Sequence, residues 1–255
     1  MDNRNILIGM AIRHQGKWHD IYQALKEKET IEDEEIYGYL THLKCNVITI
    51  LDQEYPEYLR KVTCPPFVLF YYGDISLIYN IDKNLAIVGS RDASQNGLNA
   101  IYNIAEKVSK TYNIVSGLAL GIDAAAHHGA IDGGGKTIGI LGCGIEQCYP
   151  ISNQSLYDEI KSHHLLISEY YNYIPPHSYN FPQRNRLIVA FSRATLVGEA
   201  RLKSGSSITA SITLAENKDL MVIPSNELDN SLCNQLIRDG CSVVLNADDV
   251  LYYLK

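Results

Sequence analysis

Four short stretches of small residues each follow an apolar segment, and they are the best candidates for a binding site. They are Gly89-Ser90-Arg91, Ser116-Gly117-Leu118, Gly142-Cys143-Gly144 and Ser204-Gly205-Ser206-Ser207. Small residues let backbone N–H groups at helix N-termini approach an anion, hydroxyls add donors, and the helix dipole favours negative charge. One such stretch alone is more often a tight turn between a strand and a helix. Four of them predict an edge that binds a polyanion or a nucleotide.

Arginines and aromatic residues adjoin these stretches. Arg91 directly follows Gly89-Ser90, and Arg184-Asn185-Arg186 stands at the start of a predicted helix. Guanidinium groups make bidentate contacts with phosphate, although a surface ion pair is the alternative for any one of them. Aromatic rings stack on the bases of single strands. Those that cluster around the arginines are Tyr149, Tyr170, Tyr171, Tyr173, Tyr179 and Phe181.

Two familiar phosphate motifs are incomplete. The segment 133–137 ends like a P-loop, but position 130 is Ala130 instead of glycine, and the segment precedes a strand where a P-loop follows one. Gly142-Cys143-Gly144 follows a strand, yet Gln147 replaces the third glycine of a dinucleotide fingerprint. The glycines at 133–135 are better explained as the end of a helix, and no cofactor is expected.

The remaining titratable residues favour structural roles. Cys143 and Cys148 form a lone pair without a second pair, and the adjacent His127 and His128 cannot face one ion from a helix, so no metal is expected. His127 is interpreted as a core histidine. Asp123 and Ser204 are expected to be helix N-caps.

Glu199 is the acidic residue that ends a strand near the Ser204 stretch. A hydrolytic reaction would need a general base there. The alternative is that Glu199 braces the arginines or the following backbone. No catalytic residue is assigned.

The elements that must position these residues alternate from residue 84 onward. Short apolar runs such as 85–89, 113–117, 136–142, 165–169, 194–199 and 219–224 are separated by amphipathic stretches at 94–110, 121–132, 153–162, 183–193 and 204–217. This alternation predicts parallel strands with crossover helices, in a doubly wound, mostly parallel α/β sheet. The ligand would lie beyond the carboxyl ends of the strands.

The preceding segment differs in pattern. Helical periodicity over the first 40 residues (Ile6, Met10, Ile12, Ile21, Leu25), with a charged break at 26–35, predicts a small N-terminal helical cap. Apolar runs at 46–51 and 67–72 predict a strand pair that joins the cap to the sheet.

Composition limits the function classes. The chain has 255 residues and a net charge of −7, which excludes a bulk polycation and confines nucleic-acid binding to a local patch. No apolar run reaches the roughly 18 residues of a membrane span, and no secretory signal is evident, so reduced thiols in a cytoplasm are expected.

The motifs, taken in order, resemble the DNA-processing protein A (DprA/Smf) family. The matching segments are GSR at 89–91, SGLALGIDAAAH at 116–127, GGGKTIGILGCGI at 133–145, YP at 149–150, FPQRNRLI at 181–188 and EARLKSGSSITA at 199–210. The resemblance covers roughly residues 43–251. It implies a Rossmann-like domain at 43–255 behind a shortened, SAM-like helical domain at 1–42, with no winged-helix domain expected.

The resemblance also implies a function and a set of contacts. It implies a protein that is not an enzyme, binds and protects single-stranded DNA, forms a homodimer, and helps load the RecA recombinase during natural transformation. The implied DNA-binding residues are Gly89, Ser90, Arg91, Ser116, Gly117, Gly121, Gly142, Gly144, Arg184, Asn185, Arg186, Gly205, Ser206, Ser207 and Thr209.

Three further expectations accompany this resemblance. Leu120 and Ile151 stand where the family commonly has basic residues, Gly198 stands at a usual valine, and Ser225 at a frequent glycine. A nucleotide-binding or nucleotide-hydrolysing enzyme on the same edge is the alternative function. The homodimer is expected to use Leu236, Ile237, Val243 and Val244, for which burial in the core is equally open.

Overall fold

The strands and helices follow the predicted alternation. The computed structural model describes residues 1–227 and 230–255. Its strands are β1 (Asn46–Thr49), β2 (Val68–Gly73), β3 (Asn84–Val88), β4 (Asn113–Ser116), β5 (Thr137–Ile140), β6 (Leu165–Ser168), β7 (Ala194–Val197), β8 (Asp219–Val222) and β9 (Ser242–Val243). Its helices are α1 (Asn3–Arg13), α2 (Trp18–Lys26), α3 (Asp33–Thr41), α4 (Glu57–Arg60), α5 (Gln95–Val108), α6 (Ile122–Asp132), α7 (Gln154–His163), α8 (Asn180–Ala190), α9 (Gly205–Ala215), α10 (Leu232–Arg238) and α11 (Ala247–Tyr253).

Within the described ranges the strands form a single sheet in the order β1-β2-β6-β5-β4-β3-β7-β8-β9. All pairs from β6 to β9 are parallel, which confirms the doubly wound, mostly parallel α/β architecture. The predicted strand pair is also confirmed: β1 and β2 are antiparallel, and β2 pairs antiparallel with β6. The pair therefore extends one edge of the main sheet.

The chain changes direction across the sheet at β3. Both β4 and β7 are hydrogen-bonded to β3, with Leu85 aligned with Ile114 on one side and with Ala194 on the other. The connections after β3 and after β7 therefore leave the sheet in opposite senses and open a crevice between their first turns. This topological switch point is where the fold offers space for a ligand.

The core has a layer on each face of the sheet. Successive side chains of a strand point to opposite faces, so Leu85 and Ile87 of β3 join one hydrophobic cluster, while Ala86 and Val88 join the other. All five residues of β3 are buried. The central strand therefore holds the switch point rigidly from both sides.

The N-terminal helices pack on the sheet through a third cluster. Leu7, Ile8 and Ile21 lie against Phe70 of β2 and Leu166 of β6 in this cluster. The predicted charged break is shorter than expected, because α3 begins at Asp33 and places three acidic residues in its first turn, where the helix dipole favours them. Leu25, assigned by periodicity to the apolar face, is 39% exposed.

Two of the residues considered for a dimer contact lie in the core. Leu236 and Val244 are buried, so for them the core interpretation is correct and the interface interpretation is wrong. They pack there because α10 and the strand end after β9 cover the sheet beside β8. Of the helices in the described ranges, none is long and apolar enough to cross a membrane.

Candidate functional site

A cleft of about 390 Å³ opens at the switch point. It is bounded by the loop after β3, the first turn of α8, and the loop that leads from β7 into α9. Eight of the predicted binding residues line it: Gly89, Ser90, Arg91, Arg184, Asn185, Gly205, Ser206 and Thr209. Three segments that are distant in sequence thus meet at one place, as the strand order requires.

The loop after β3 is held from three directions. The Ser90 amide donates to the Glu199 carbonyl at 2.6 Å, and the Ser90 carbonyl accepts from the Ile122 amide at 3.1 Å. Ser206 Oγ donates to the Gly89 carbonyl at 2.9 Å. A Cβ on Gly89 would lie 2.5 Å from the Ile122 side chain, so only glycine lets this loop lie flat against α6. The loop is a fixed wall of the cleft.

Arg91 projects from that wall. It is exposed, it forms no ion pair with any described residue, and its guanidinium lies 5.3 Å from the centroid of the Phe181 ring. A guanidinium beside an aromatic face gains a cation–π attraction while its N–H donors remain available. Arg91 is therefore pre-positioned to meet an anion.

The opposite wall is the N-terminus of α9. Ser204 occupies the N-cap position as predicted, but its side chain does not cap the helix and donates through Oγ to the Arg201 carbonyl instead. Ser207 Oγ donates to the Ser204 carbonyl at 2.6 Å and does not line the cleft. The Ser207 amide donates to the Ser204 carbonyl at 3.1 Å, while the Gly205 and Ser206 amides have no partner among the described residues and can receive an anion.

Two basic residues of this wall were missed from the sequence. Arg201 and Lys203 are exposed and line the cleft just before α9. Together with Arg91 and Arg184 they give four cationic side chains, against two acidic ones, Asp92 and Asp123. The sequence contains a signal that could have identified them, because both lie directly before the predicted start of a helix. The cleft is thus locally cationic in a chain of net charge −7.

Arg184 differs from the exposed arginine that the sequence predicted. It is 4% exposed, and Nη1 donates to the carbonyls of Gly117, at 2.6 Å, and Ile140. Burial lowers the pKa of Arg184, and the nearby Asp123 carboxylate opposes that shift. The side chain forms the floor of the cleft and ties the loops after β4 and β5 together.

Asp123 is not a helix N-cap. Gly121 holds that position in α6, and the Asp123 carboxylate accepts from the amides of Gly117 at 3.1 Å and Ala119 at 3.4 Å. Burial raises the pKa of Asp123, and Arg184 opposes this rise. Asp123 therefore fixes the loop after β4 instead of starting the helix that contains it.

Several predicted residues pack behind the cleft. Gly121 has a φ of +73°, and a Cβ there would lie 2.2 Å from the Ser90 carbonyl oxygen. A Cβ on Gly117 would lie 2.4 Å from Arg184 Nη1. Residues outside the cleft lining are Ser116, whose Oγ donates to the Ile87 carbonyl, Gly121, Gly142 against the Phe181 ring, Gly144 against the Asn172 carbonyl, Ser207 and Arg186. Gly117 lines a smaller recess beside the cleft.

That recess, of about 60 Å³, has an apolar border. Tyr149 is 41% exposed, lies 5.7 Å from Phe181 between ring centroids, and borders the recess with Leu120, which is 43% exposed. Ile151 is 73% exposed. Tyr170, by contrast, is buried, so it is not available for stacking.

Glu199 and His127 have structural roles. Both carboxylate oxygens of Glu199 accept from the Ser94 amide at 3.1 Å, so Glu199 braces the start of α5 rather than the arginines. His127 is fully buried and bonds Thr137 Oγ1 at 2.6 Å through Nδ1, which confirms the core interpretation. Burial lowers the pKa of His127 to about 3. Among the described residues, no group of three or more His, Cys, Asp or Glu side chains could hold a metal ion.

Comparisons with known proteins agree on one family. The sequence profile described as "DNA recombination-mediator protein A" matches residues 46–255. DNA processing protein DprA of Streptococcus pneumoniae is 39% identical over 205 residues, covering 80% of this chain and 72% of that protein. DprA of Bacillus subtilis is 34% identical over 208 residues, covering 80% and 70%.

Solved structures give the same result. The crystal structure of DprA from S. pneumoniae superposes with a TM-score of 0.82 at 35% identity, covering 93% of this chain and 81% of that one. DprA from Helicobacter pylori, in a structure described for its single-stranded DNA binding mode, gives 0.75 at 28% identity, covering 84% and 97%.

Proposed function

The chain belongs to the DNA recombination-mediator protein A family, and from that membership we propose that it binds single-stranded DNA in the switch-point cleft. The observation that carries the proposal is the concentration of unpaired cations there. Arg91, Arg201 and Lys203 line one cleft with the N-terminus of α9, and none forms an ion pair with a described residue. Such donors bind phosphate groups through charge-assisted hydrogen bonds.

The preference for a single strand follows from the recess. Phosphate contacts alone do not distinguish one strand from two. Phe181 and the half-exposed Tyr149 and Leu120 offer an apolar surface beside the phosphate donors. Only unpaired bases can leave their stack to cover such a surface, which stabilises a single strand and not a duplex.

The further roles are proposed from family membership. The protein would protect incoming strands in the cytoplasm during natural transformation and help load the RecA recombinase on them. It would act as a binder and not as an enzyme. The hydrolase alternative needs a free general base, and Glu199 is engaged with Ser94. Faster RecA filament assembly on a strand already coated with a single-strand binding protein would support the loading role.

A fluorescence titration tests the binding. A labelled single strand, the matching blunt duplex and a mononucleotide are each titrated with the protein over a range of salt concentrations. We expect the tightest binding for the single strand, with an affinity that falls as salt rises because counterions are released. Equal affinity for the duplex, or no salt dependence, would contradict the proposal.

We also propose a homodimer that forms through the exposed part of the C-terminal segment. With Leu236 and Val244 buried, the exposed apolar residues there are Val243, Leu245, Tyr252 and Tyr253, at 36%, 69%, 71% and 41%. Light scattering should report a dimer at micromolar concentration and a monomer for Leu245→Asp. A monomeric wild-type protein would remove this proposal. Leu25→Asp on α2, also an exposed leucine, is the control and should stay dimeric.

A further inference from the structure

A second cavity lies between α8 and the N-terminal helices. It encloses about 200 Å³ and is lined by Lys17 and Trp18 at the start of α2, by Glu169, and by Asn180 and Arg186 of α8. Phe181, Arg184 and Asn185 of α8 line the switch-point cleft, whereas Asn180, Gln183 and Arg186 line this cavity. The cavity is therefore separate from the switch-point cleft.

Buried hydrogen-bond donors without partners concentrate at this cavity. Asn180 is 2% exposed, and its Nδ2 has no partner among the described residues. Arg186 bonds Glu169 through Nη2, while its buried Nε and Nη1 are also unpartnered within the described part of the chain. Buried polar groups are nearly always paired in native proteins. Three unpaired nitrogen donors beside one cavity favour a ligand whose atoms only accept hydrogen bonds.

The surroundings favour an anion over a flat ring. Trp18 is stacked on Tyr22 and Phe67, and Tyr179 is stacked on His177, so ring faces are already covered. Aromatic edges carry partial positive charge. Lys17 Nζ lies 5.9 Å from the Tyr179 ring centroid at the cavity border.

The other charges around this cavity come from the N-terminus of α2 and from two acidic side chains. The first turn of α2, a helix of nine residues, adds its partial positive charge. The acids that line the cavity are Glu169, which is neutralised by Arg186, and Asp20, which is exposed to solvent. His19 is the other titratable side chain of the lining besides tyrosines.

We propose that this cavity binds a phosphate group, held by Arg186, Asn180 and Lys17 together with the first-turn amides of α2. The volume suits a phosphate with part of the group that carries it. That phosphate can belong to a free nucleotide or to the phosphorylated end of a DNA strand. The proposal does not depend on the switch-point cleft binding DNA, because no residue of that cleft lines this cavity.

Calorimetric titration of the full chain tests the proposal. The probes are inorganic phosphate, thymidine 5′-monophosphate, and one oligonucleotide with and without a 5′-phosphate. All proteins carry Arg91→Ala, which weakens binding in the cleft equally in every variant and its control. Asn180→Leu removes a buried donor, and Lys17→Ala removes the cation. Lys26→Ala, exposed at the other end of α2, is the matched control.

The site should bind inorganic phosphate and the monophosphate, with about tenfold or greater loss in Asn180→Leu and Lys17→Ala and no change in Lys26→Ala. Tighter binding of the 5′-phosphorylated oligonucleotide than of its hydroxyl form would identify strand ends as the source, and equal binding would identify free nucleotides. No binding of any phosphate probe overturns the proposal. Binding that neither variant weakens also overturns it, because the phosphate would then lie elsewhere.

A purely structural role for Asn180 predicts a different result. Because its Nδ2 has no described partner, Asn180→Leu should keep or raise the melting temperature of the unliganded protein. A lowered melting temperature together with unchanged phosphate affinity in Lys17→Ala would show that Asn180 only supports the fold, and would overturn the proposal.

Discussion

The loops after β3, β4, β5 and β7 are all rich in small residues, but those after β3 and β7 border the cleft. The loops after β4 and β5, here called the closed loops, hold their glycines against the protein's own atoms. Ser90 and Gly205 border free space at the switch point. Gly117 and Gly142 lie instead against the side chains of Arg184 and Phe181. Small residues permit close approach, and the sheet topology decides whether a ligand or the protein's own side chain approaches.

Two arginines differ in the same way, one being open to a ligand and the other enclosed by the protein. Arg91 and Arg184 both place a guanidinium within 6 Å of the Phe181 ring centroid, at 5.3 and 5.9 Å. Arg91 is exposed and unpaired among the described residues, whereas Arg184 is 4% exposed and donates to two carbonyls of the closed loops. One is built to bind a ligand and the other to hold the fold.

The largest expected effect is the loss of stability in Arg184→Ala. It leaves two buried carbonyls without their donor, and each unsatisfied buried group costs about 1–3 kcal/mol, so the free energy of unfolding should fall by about 2 kcal/mol or more. Denaturant unfolding measures this directly. A change below about 1 kcal/mol would mean that the closed loops do not depend on Arg184. Arg193→Ala, at the opposite edge of the sheet, is a control with a single backbone contact.

Arg91→Ala should instead weaken DNA binding while leaving stability nearly unchanged. Removing a charge-assisted contact of about 1.5–3 kcal/mol lowers single-strand affinity at least tenfold, and the salt slope should fall by roughly 0.7. Fluorescence anisotropy measures the affinity. The free energy of unfolding, measured with denaturant, should change by less than about 0.5 kcal/mol. Lys110→Ala, exposed between α5 and β4 at the far edge, should bind normally. An unchanged salt slope in Arg91→Ala would remove the cleft from the binding surface.

The buried His127, which bonds Thr137 of β5, makes the stability of the protein depend on pH. Its pKa is about 3 in the folded protein and 6.5 ordinarily, so the neutral form stabilises the fold above pH 6.5. This contribution is lost as the pH falls toward 3, at roughly 1.4 kcal/mol per pH unit. His127→Leu should make the unfolding free energy fall less steeply with acid, while single-strand affinity near neutral pH stays the same. The exposed His128→Gln is the control, and a slope equal to wild type in both variants would contradict the assignment.

The smallest expected effect comes from adding cations beside the recess. Leu120 and Ile151 are 43% and 73% exposed, so lysines there do not disturb packing. The double variant Leu120→Lys, Ile151→Lys should steepen the salt slope by roughly 0.7 per new phosphate contact and tighten binding at low salt. Leu214→Lys, exposed at the distal end of α9, tests for a general charge effect. A slope no steeper than that of this control would place the strand away from Leu120 and Ile151.

The sequence determined the elements of this protein and most of its cleft. The alternation of apolar and amphipathic runs predicted β3 to β8 and the helices between them to within about three residues, because hydrophobic periodicity is a local property. It also predicted Ser90, Arg91 and Gly205 correctly as neighbours, since parallel strands must end at one edge. Their contact with DNA remains a prediction.

Only the tertiary structure decided which charges are free. Arg184 and Arg186 follow the same pattern as Arg91 in sequence, yet one is enclosed by the carbonyls of Gly117 and Ile140, and the other pairs with Glu169. These partners lie 17 to 67 positions away along the chain. Burial and ion pairing depend on which distant elements pack together, and a one-dimensional pattern records a residue's type but not the neighbours that the fold gives it.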